Sequence, residues 1–316
     1  MKTRTIILLA LLVCIQLSTY ADVYPYPWRD LETYQRFEEE QLVINDNLIS
    51  DKYAVRVRDL TNNGNWIDIT TLSMHPRLHQ DHPITGGNAV TSFQSDRSMS
   101  FAPFAFTNEI EVEVTKLFGS KADRIIVSPK ACNLNPHYFD GKKVRFVMRK
   151  WGYISVNFVC ADNQDDNRNG GMDIKHGMMI FADYPEEVIN DYAIPNQTDK
   201  GVVIWDNQTD IETLREADIL YFPPGVHQMK RHKDNIQEYL TDEEAMKAAP
   251  LYHGQLRFRK TQKVYIAPGA YVLGCFNNRG YPDCYIYGRG VVSGRDHYMH
   301  EVLIPKIVNG KWILET

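Results

Sequence analysis

From Asp22 to Asp183 apolar and polar residues alternate with a period of two, a rhythm that predicts a run of short strands. The segment EIEVEV sets the pattern. Glu109, Glu111 and Glu113 alternate with Ile110, Val112 and Val114, which puts the acids on one face of a strand and the aliphatics on the other. Similar strands are predicted at 53–57, 66–69, 125–128, 144–148, 154–159 and 178–182, separated by the turn-rich stretches TNNGN, NLNP, DGK and DNQDDNRNGG. That many short strands without helical periodicity predict a β-sandwich. The one helix candidate in this half is Leu31 to Gln41.

The pattern changes at Tyr184 to Lys200, where prolines and charges replace the alternation and mark a linker. Beyond it, apolar runs stop at Pro-Gly and restart: ADILYFPPGVH at Ala217–His227, VYIAPGAYVLG at Val264–Gly274 and YIYGRGVVSGRDHY at Tyr285–Tyr298. The intervals are 44 residues from Tyr221 to Tyr265 and 21 from Tyr265 to Ile286, consistent with two coils and one coil of a parallel β-helix. Strands of a second sandwich are the alternative. LTDEEAMKAA at Leu240–Ala249, with Thr241 as cap and Glu244 three residues on, reads as a helical insertion on the solenoid. In the tail LIPKIVNGKWILET, Asn309-Gly310 between apolar runs predicts a hairpin able to fold back over the last coil. The expected division is a leader (1–21), a sandwich (22–184), a linker (185–200) and a partial β-helix (201–316).

Composition supplies the compartment. Lys2 and Arg4 precede the apolar run Ile6–Ile15 and a small-residue site at Thr19–Ala21, the plan of a secretory signal peptide. No window offers the ~20 apolar residues of a membrane span. Loss of the leader takes the formal net charge from -5 to -7, which argues against a nucleic-acid partner. The 316-residue chain has five cysteines; with Cys14 in the leader, Cys132, Cys160, Cys275 and Cys284 remain for an oxidising compartment. Of three possible pairings, the local one, Cys132–Cys160 and Cys275–Cys284, keeps each bridge within one predicted domain. Asn196-Gln-Thr198 and Asn207-Gln-Thr209 match the N-glycosylation acceptor and place residues 196–209 on the surface.

Candidate chemistry is sparse. No cofactor signature and no zinc spacing occurs. The acidic loop Asp162–Asp173 departs from the calcium-binding EF-hand, with Asn167 where glycine is needed and no closing glutamate, and reads as a hairpin loop. His176, His227, His253, His297 and His300 lack interpretable partners and read as surface or interdomain residues. Trp151 reads as packing, and VYPYPW at Val23–Trp28 as an extended segment lying across the sandwich.

LYFPPGVH at Leu220–His227, VYIAPGAYVLGCF at Val264–Phe276 and YGRGVVSGRDHY at Tyr287–Tyr298, preceded by HGMMIFAD at His176–Asp183, resemble glycoside hydrolase family 49, the dextranases and isopullulanases. The resemblance implies an all-β protein, a sandwich followed by the first coils of a right-handed parallel β-helix, acting on or binding polysaccharide of the α-glucan type. It also implies inverting hydrolysis by aspartates on the β-helix, with carboxylates roughly 6.5–9.5 Å apart. Those aspartates lie several coils beyond the segment resembling VYIAPGAYVLG, so no catalytic residue is assigned. Asp283 and Asp296, thirteen residues apart, do not stack on adjacent coils and read as solvated loop acids. The expectation is a hydrolase if the natural chain continues past Thr316. If it stops there, a non-catalytic extracellular matrix protein, of a mineralised matrix in view of its acidity, is expected.

Overall fold

The computed structural model describes residues 23–34, 47–61, 64–74, 98–164, 174–186, 193–234, 251–252, 254–258, 260–278, 281, 283–294, 304–308 and 311–315. The described strands of the first half are β1 (Val23–Pro25), β2 (Tyr53–Asp59), β3 (Ile67–Ile69), β4 (Leu72–Met74), β5 (Ser98–Phe106), β6 (Ile110–Lys116), β7 (Arg124–Ser128), β8 (Tyr138–Phe139), β9 (Lys143–Met148), β10 (Gly152–Val159) and β11 (His176–Asp183). They form two sheets, β1-β5-β11-β10-β7 with β4 beside β5, and β3-β2-β6-β9-β8. The inward rows, including Val55, Val57, Val112, Val114, Phe146, Val156, Phe158 and Ile180, interdigitate as one core. This is the predicted sandwich.

Two strands repay attention because they are buried on both faces. In β5, which pairs in parallel with β11 and antiparallel with β1 and β4, Ala102 and Phe104 enter the sandwich core while Phe101 faces away from it. In β6 the aliphatics face the core as expected, but the acids opposite are not in water: Glu111 is 4% exposed and Glu113 1%. Burying a carboxylate requires partners. Arg56 and Arg145 supply them to Glu113, and Arg58 and His137 to Glu111. Trp66 lies under the guanidiniums of Arg56 and Arg58 at 4.6 and 4.8 Å from ring centre, adding cation–π attraction.

The second half winds. After β12 (Val202–Ile204) and a short helix α1 (Ile211–Glu216) capped by Asp210, the coil strands are β13 (Ile219–Phe222), β14 (Gly225–Gln228), β15 (Leu251–Tyr252), β16 (Gln255–Arg257), β17 (Lys263–Ile266), β18 (Ala270–Leu273), β19 (Cys275–Asn277), β20 (Tyr285–Gly288) and β21 (Val291–Ser293). They stack in three parallel sheets, β12-β13-β17-β20, β14-β18-β21 and β16-β19, the last with β15 antiparallel at its edge. Leu220, Phe222, Val264, Ile266, Ala270 and Val272 fill the bore. These are the first coils of the parallel β-helix.

The predicted coil spacing needs two corrections. Tyr221 pairs directly with Tyr265, so the 44-residue interval is one coil carrying an insertion between β14 and β16, not two coils. Tyr265 pairs with Tyr287 and not Ile286. A one-residue slip would turn every side chain to the opposite face. In the true register Tyr221, Tyr265 and Tyr287 form an outward row with centroids 5.1 and 5.2 Å apart, and Val264 faces inward. The helix predicted in that insertion at 240–249 lies outside the described residues.

Of the helix predicted from Leu31 to Gln41 only a single 3-10 turn, Leu31–Thr33, is described; the rest lies outside. The tail forms the expected hairpin from β22 (Ile304–Val308) and β23 (Lys311–Glu315), with Val308 opposite Lys311. Its loop at 309–310 lies outside the described residues, as does the leader.

The two halves join along one face. Phe101, Met179 and Phe181 of the first sheet pack against Val226, Tyr271, Leu273 and Val291 of the coils, and Trp28, Leu31, Leu48 and Leu72 complete the seam. At its edge the Pro-Gly turn of VYIAPG has Gly269 at φ +85°, where a Cβ would lie 2.7 Å from the Pro27 carbonyl oxygen. Only glycine lets the chain turn there and the N-terminal segment cross so closely.

Candidate site at the seam

The seam opens on one side into a cleft of about 370 Å³ between the sandwich and the third coil. Met74, Met99, Phe181, Val291 and Val292 give it apolar walls, and Tyr153, Asp183 and Arg289 give it polarity. Each polar residue is placed by backbone constraints. Asp183 is the last residue of β11, and Tyr153 on β10 pairs with Phe181 of that strand, so the Tyr153 ring stands beside the strand end. Arg289 occupies the turn between β20 and β21, whose Arg289 and Gly290 amides both donate to the Ile266 carbonyl at 3.0 Å. Gly288 before it has φ +110°, and a Cβ there would meet that same carbonyl oxygen. The turn is therefore pinned, and Arg289 projects back to the sandwich.

Asp183 gathers three partners. Tyr153 Oη donates to its Oδ1 at 3.0 Å, Tyr26 Oη donates to Oδ2 at 3.4 Å, and Arg289 Nη1 stands 3.3 Å from Oδ1. Asp183 is 7% exposed, so the ion pair is largely desolvated. Burial, then the charge of Asp183 and the hydrogen bond to it, push the Tyr153 hydroxyl above its ordinary pKa. Tyr26 is raised by burial first, then by the charge of Asp183, with smaller contributions from Glu186 and its hydrogen bond to Asp183, and Arg289 opposes the shift in both tyrosines. Both phenols are therefore protonated donors at neutral pH. Arg289 Nε is buried without a hydrogen-bond partner among the described residues. An orphaned buried donor invites a ligand acceptor.

The arrangement suits binding more than bond cleavage. Asp183 is the single carboxylate among the described lining residues, whereas glycoside hydrolysis takes a pair. Its charge is matched by Arg289, so the cleft favours an uncharged ligand with hydroxyls to share. The Tyr153 ring, 48% exposed and set edge-on against Phe181 at 5.4 Å between centroids, offers an apolar platform. No group of three metal-ligating side chains occurs among the described residues.

The residues singled out from sequence lie elsewhere. Asn196 is exposed and Asn207 half-buried. Neither disulfide expected, Cys132–Cys160 or Cys275–Cys284, is present among the described residues. Cys160 is buried with Sγ donating to Asp162 Oδ1 at 2.8 Å, and Cys284 Sγ faces the Lys260 carbonyl at 3.5 Å, so each has a different neighbour from the one proposed. Asp283 is exposed in a turn, as expected, and Asp296 lies outside the described residues. So does most of the acidic loop 162–173, of which Asp162 accepts from the Ser120 amide. His227 is half-buried, Nε2 at 2.7 Å from the Pro223 carbonyl and its ring edge-on to Phe222, and burial lowers its pKa. His176 is half-buried in the sandwich beside Ser98 Oγ at 2.9 Å, and His253, His297 and His300 lie outside the described residues. Trp151, expected to pack, is 48% exposed against Tyr184. The segment after β1 is extended only to Pro25 and then turns at Pro27, the Trp28 amide donating to the Tyr26 carbonyl at 2.9 Å, which delivers Tyr26 to Asp183. Sequence reasoning assigned no role to Asp183, Tyr153 or Arg289, although HGMMIFAD ends in the first and YGRG contains the last.

A sandwich joined to a parallel β-helix, with a cleft at the junction, defines an all-β protein of two dissimilar halves. No protein-family model matches it. It is 24% identical over 237 residues to a dextranase of Arthrobacter globiformis and 25% identical over 237 residues to a dextranase of Arthrobacter sp. strain CB-8, in each case covering 66% of this chain and 34% of the relative. Dex49A from Penicillium minioluteum shares the fold with a TM-score of 0.54 at 19% identity, over 89% of this chain and 52% of that one. The chain is thus similar to the family 49 dextranases, as its motifs indicated, and spans about a third of the length of the curated relatives it matches.

Proposed function

We propose that this chain is an exported, polysaccharide-engaging protein of the α-glucan type, and that the seam cleft holds a glucosyl unit of the polymer. The observation that carries the reading is the neutral Asp183–Arg289 pair beside the half-exposed Tyr153 ring. A pyranose presents an apolar face to such a ring and hydroxyls to such a pair. The likeness to dextranases supports the polymer class, and the leader-like N-terminus and the two sequons support export as a glycoprotein. The change from two face-packed, mostly antiparallel sheets ending at Asp183 to stacked parallel coils starting at Val202 supports division into domains at 22–184 and 201–316.

A second reading, a non-catalytic matrix protein that holds glycan without cleaving it, draws on the single carboxylate of the cleft. Affinity electrophoresis in dextran, pullulan and a carboxylated polysaccharide tests the shared claim, and reducing-sugar release separates the two. Retardation in dextran or pullulan, weakened about tenfold by Tyr153→Ala and by Arg289→Met, is expected. Equal retardation of wild type and both variants would remove the cleft from the reading.

A further inference from the structure

The two sequons are equivalent as sequence and unlike in the folded chain, and we infer that Asn196 carries an N-linked glycan while Asn207 does not. The inference rests on the export proposed above. Asn196 heads an exposed turn, in which the Asp199 amide donates to the Asn196 carbonyl at 3.0 Å. Its side-chain Oδ1 accepts from the Thr198 amide at 3.1 Å and from Thr198 Oγ1 at 2.9 Å. Both partners of the carboxamide oxygen therefore belong to the sequon itself. Residues 196–200 are all exposed, so a bulky substituent on Nδ2 projects into solvent without displacing any core group.

Asn207 is held differently. Its Oδ1 accepts from Trp205 Nε1 at 3.3 Å, and its carbonyl accepts from the Lys233 amide at 3.0 Å. Trp205 is 2% exposed and stacked on Phe222 at 4.9 Å, inside the bore of the first coil. In this turn Asp206, and not the asparagine, takes the local role, its Oδ1 accepting from the Gln208 amide at 2.9 Å. A glycan on Asn207 would crowd a half-buried carboxamide that fixes the coil's first aromatic pair. It would also press on the loop that leads, through Asp210, into the capped helix α1.

The modification is a group transfer. The Asn196 amide nitrogen bonds to the anomeric carbon of a polyprenyl-pyrophosphate-linked oligosaccharide as the bond from that carbon to the pyrophosphate oxygen breaks. The amide loses a proton to a base of the transferase, and polyprenyl pyrophosphate leaves.

The test is expression of the full chain in a eukaryotic secretory host, with its own leader and in parallel with a foreign one. Treatment with peptide N-glycosidase and peptide mass spectrometry then read out occupied asparagines as aspartates. One glycan is expected, at position 196, lost in Asn196→Gln and kept in Asn207→Gln. Occupancy of Asn207 at a level comparable to Asn196, or no glycan on secreted chain, would overturn the inference. Secretion and Asn196 occupancy only with the foreign leader would leave it standing and refute export by the native N-terminus.

Discussion

Replacing Glu113 by glutamine removes one negative charge from a site 1% exposed while leaving the side chain's shape unchanged. The carboxylate accepts from Arg56 Nε at 2.7 Å, Arg56 Nη2 at 3.1 Å and Arg145 Nε at 2.6 Å, and Lys143 Nζ stands 3.6 Å away. Breaking a buried pair by removing one partner costs about 3–5 kcal/mol. The arginine side chains are 34% and 30% exposed and regain water, which lowers the expected loss to about 2–3 kcal/mol. With a urea dependence of about 2 kcal/mol/M, the unfolding midpoint should fall by about 1 M at pH 7. The pH dependence supplies the sharper check. Burial pushes the Glu113 carboxyl up, and hydrogen bonds from Arg56 and Arg145 outweigh it, holding the pKa below its ordinary value. A folded-state pKa below the unfolded one of about 4.3 contributes stability that is fully present above that pH and is lost as pH falls through the folded value. The gap between wild type and variant should therefore stay constant from about pH 8 to 5 and close below about pH 4. Urea titrations followed by tryptophan fluorescence at each pH measure it, and equal midpoints at pH 7, or a gap that widens in acid, would refute the reasoning.

Gly269→Ala should destabilise by about 2–4 kcal/mol, from a side chain at positive φ and its clash with Pro27; calorimetry reads it, and a wild-type Tm would show that the N-terminal segment does not cross there. Thiol titration of the leader-free chain in denaturant without reductant should find four reactive groups, with Cys160 slow in the native state because it is buried; two or none would restore the bridges inferred from sequence.

The legible parts of this fold were those with one apolar face and one polar face, whether the polar face meets water or, as in β6, buried ion pairs. β6, β9 and β10 alternate cleanly because one side of each meets the core. β5 does not alternate, since its SMSFAPFAF run is buried in the sandwich and against the coils, and Pro103 argues against a strand in sequence, so none is predicted there. Coil spacing was misjudged because an insertion of unknown length between β14 and β16 imitates a second turn of the solenoid. The expected disulfides are absent among the described residues because proximity in sequence says nothing of where two sulfur atoms point. The cleft was invisible for a related reason: Tyr26, Tyr153, Asp183 and Arg289 come from four separate segments and converge only when the sheets pack.

Arg289 in the third coil and Asp183 at the end of the sandwich make the cleft a coincidence detector for folding. Its polar pair exists only when the coils have wound far enough to bring the Gly-Arg-Gly turn beside β11. A ligand bound there engages neither half alone, so its binding energy accrues to the joined state and not to either part. A glucosyl unit held there, as proposed, would favour refolded chains whose third coil has reached β11 over chains in which only one half has formed.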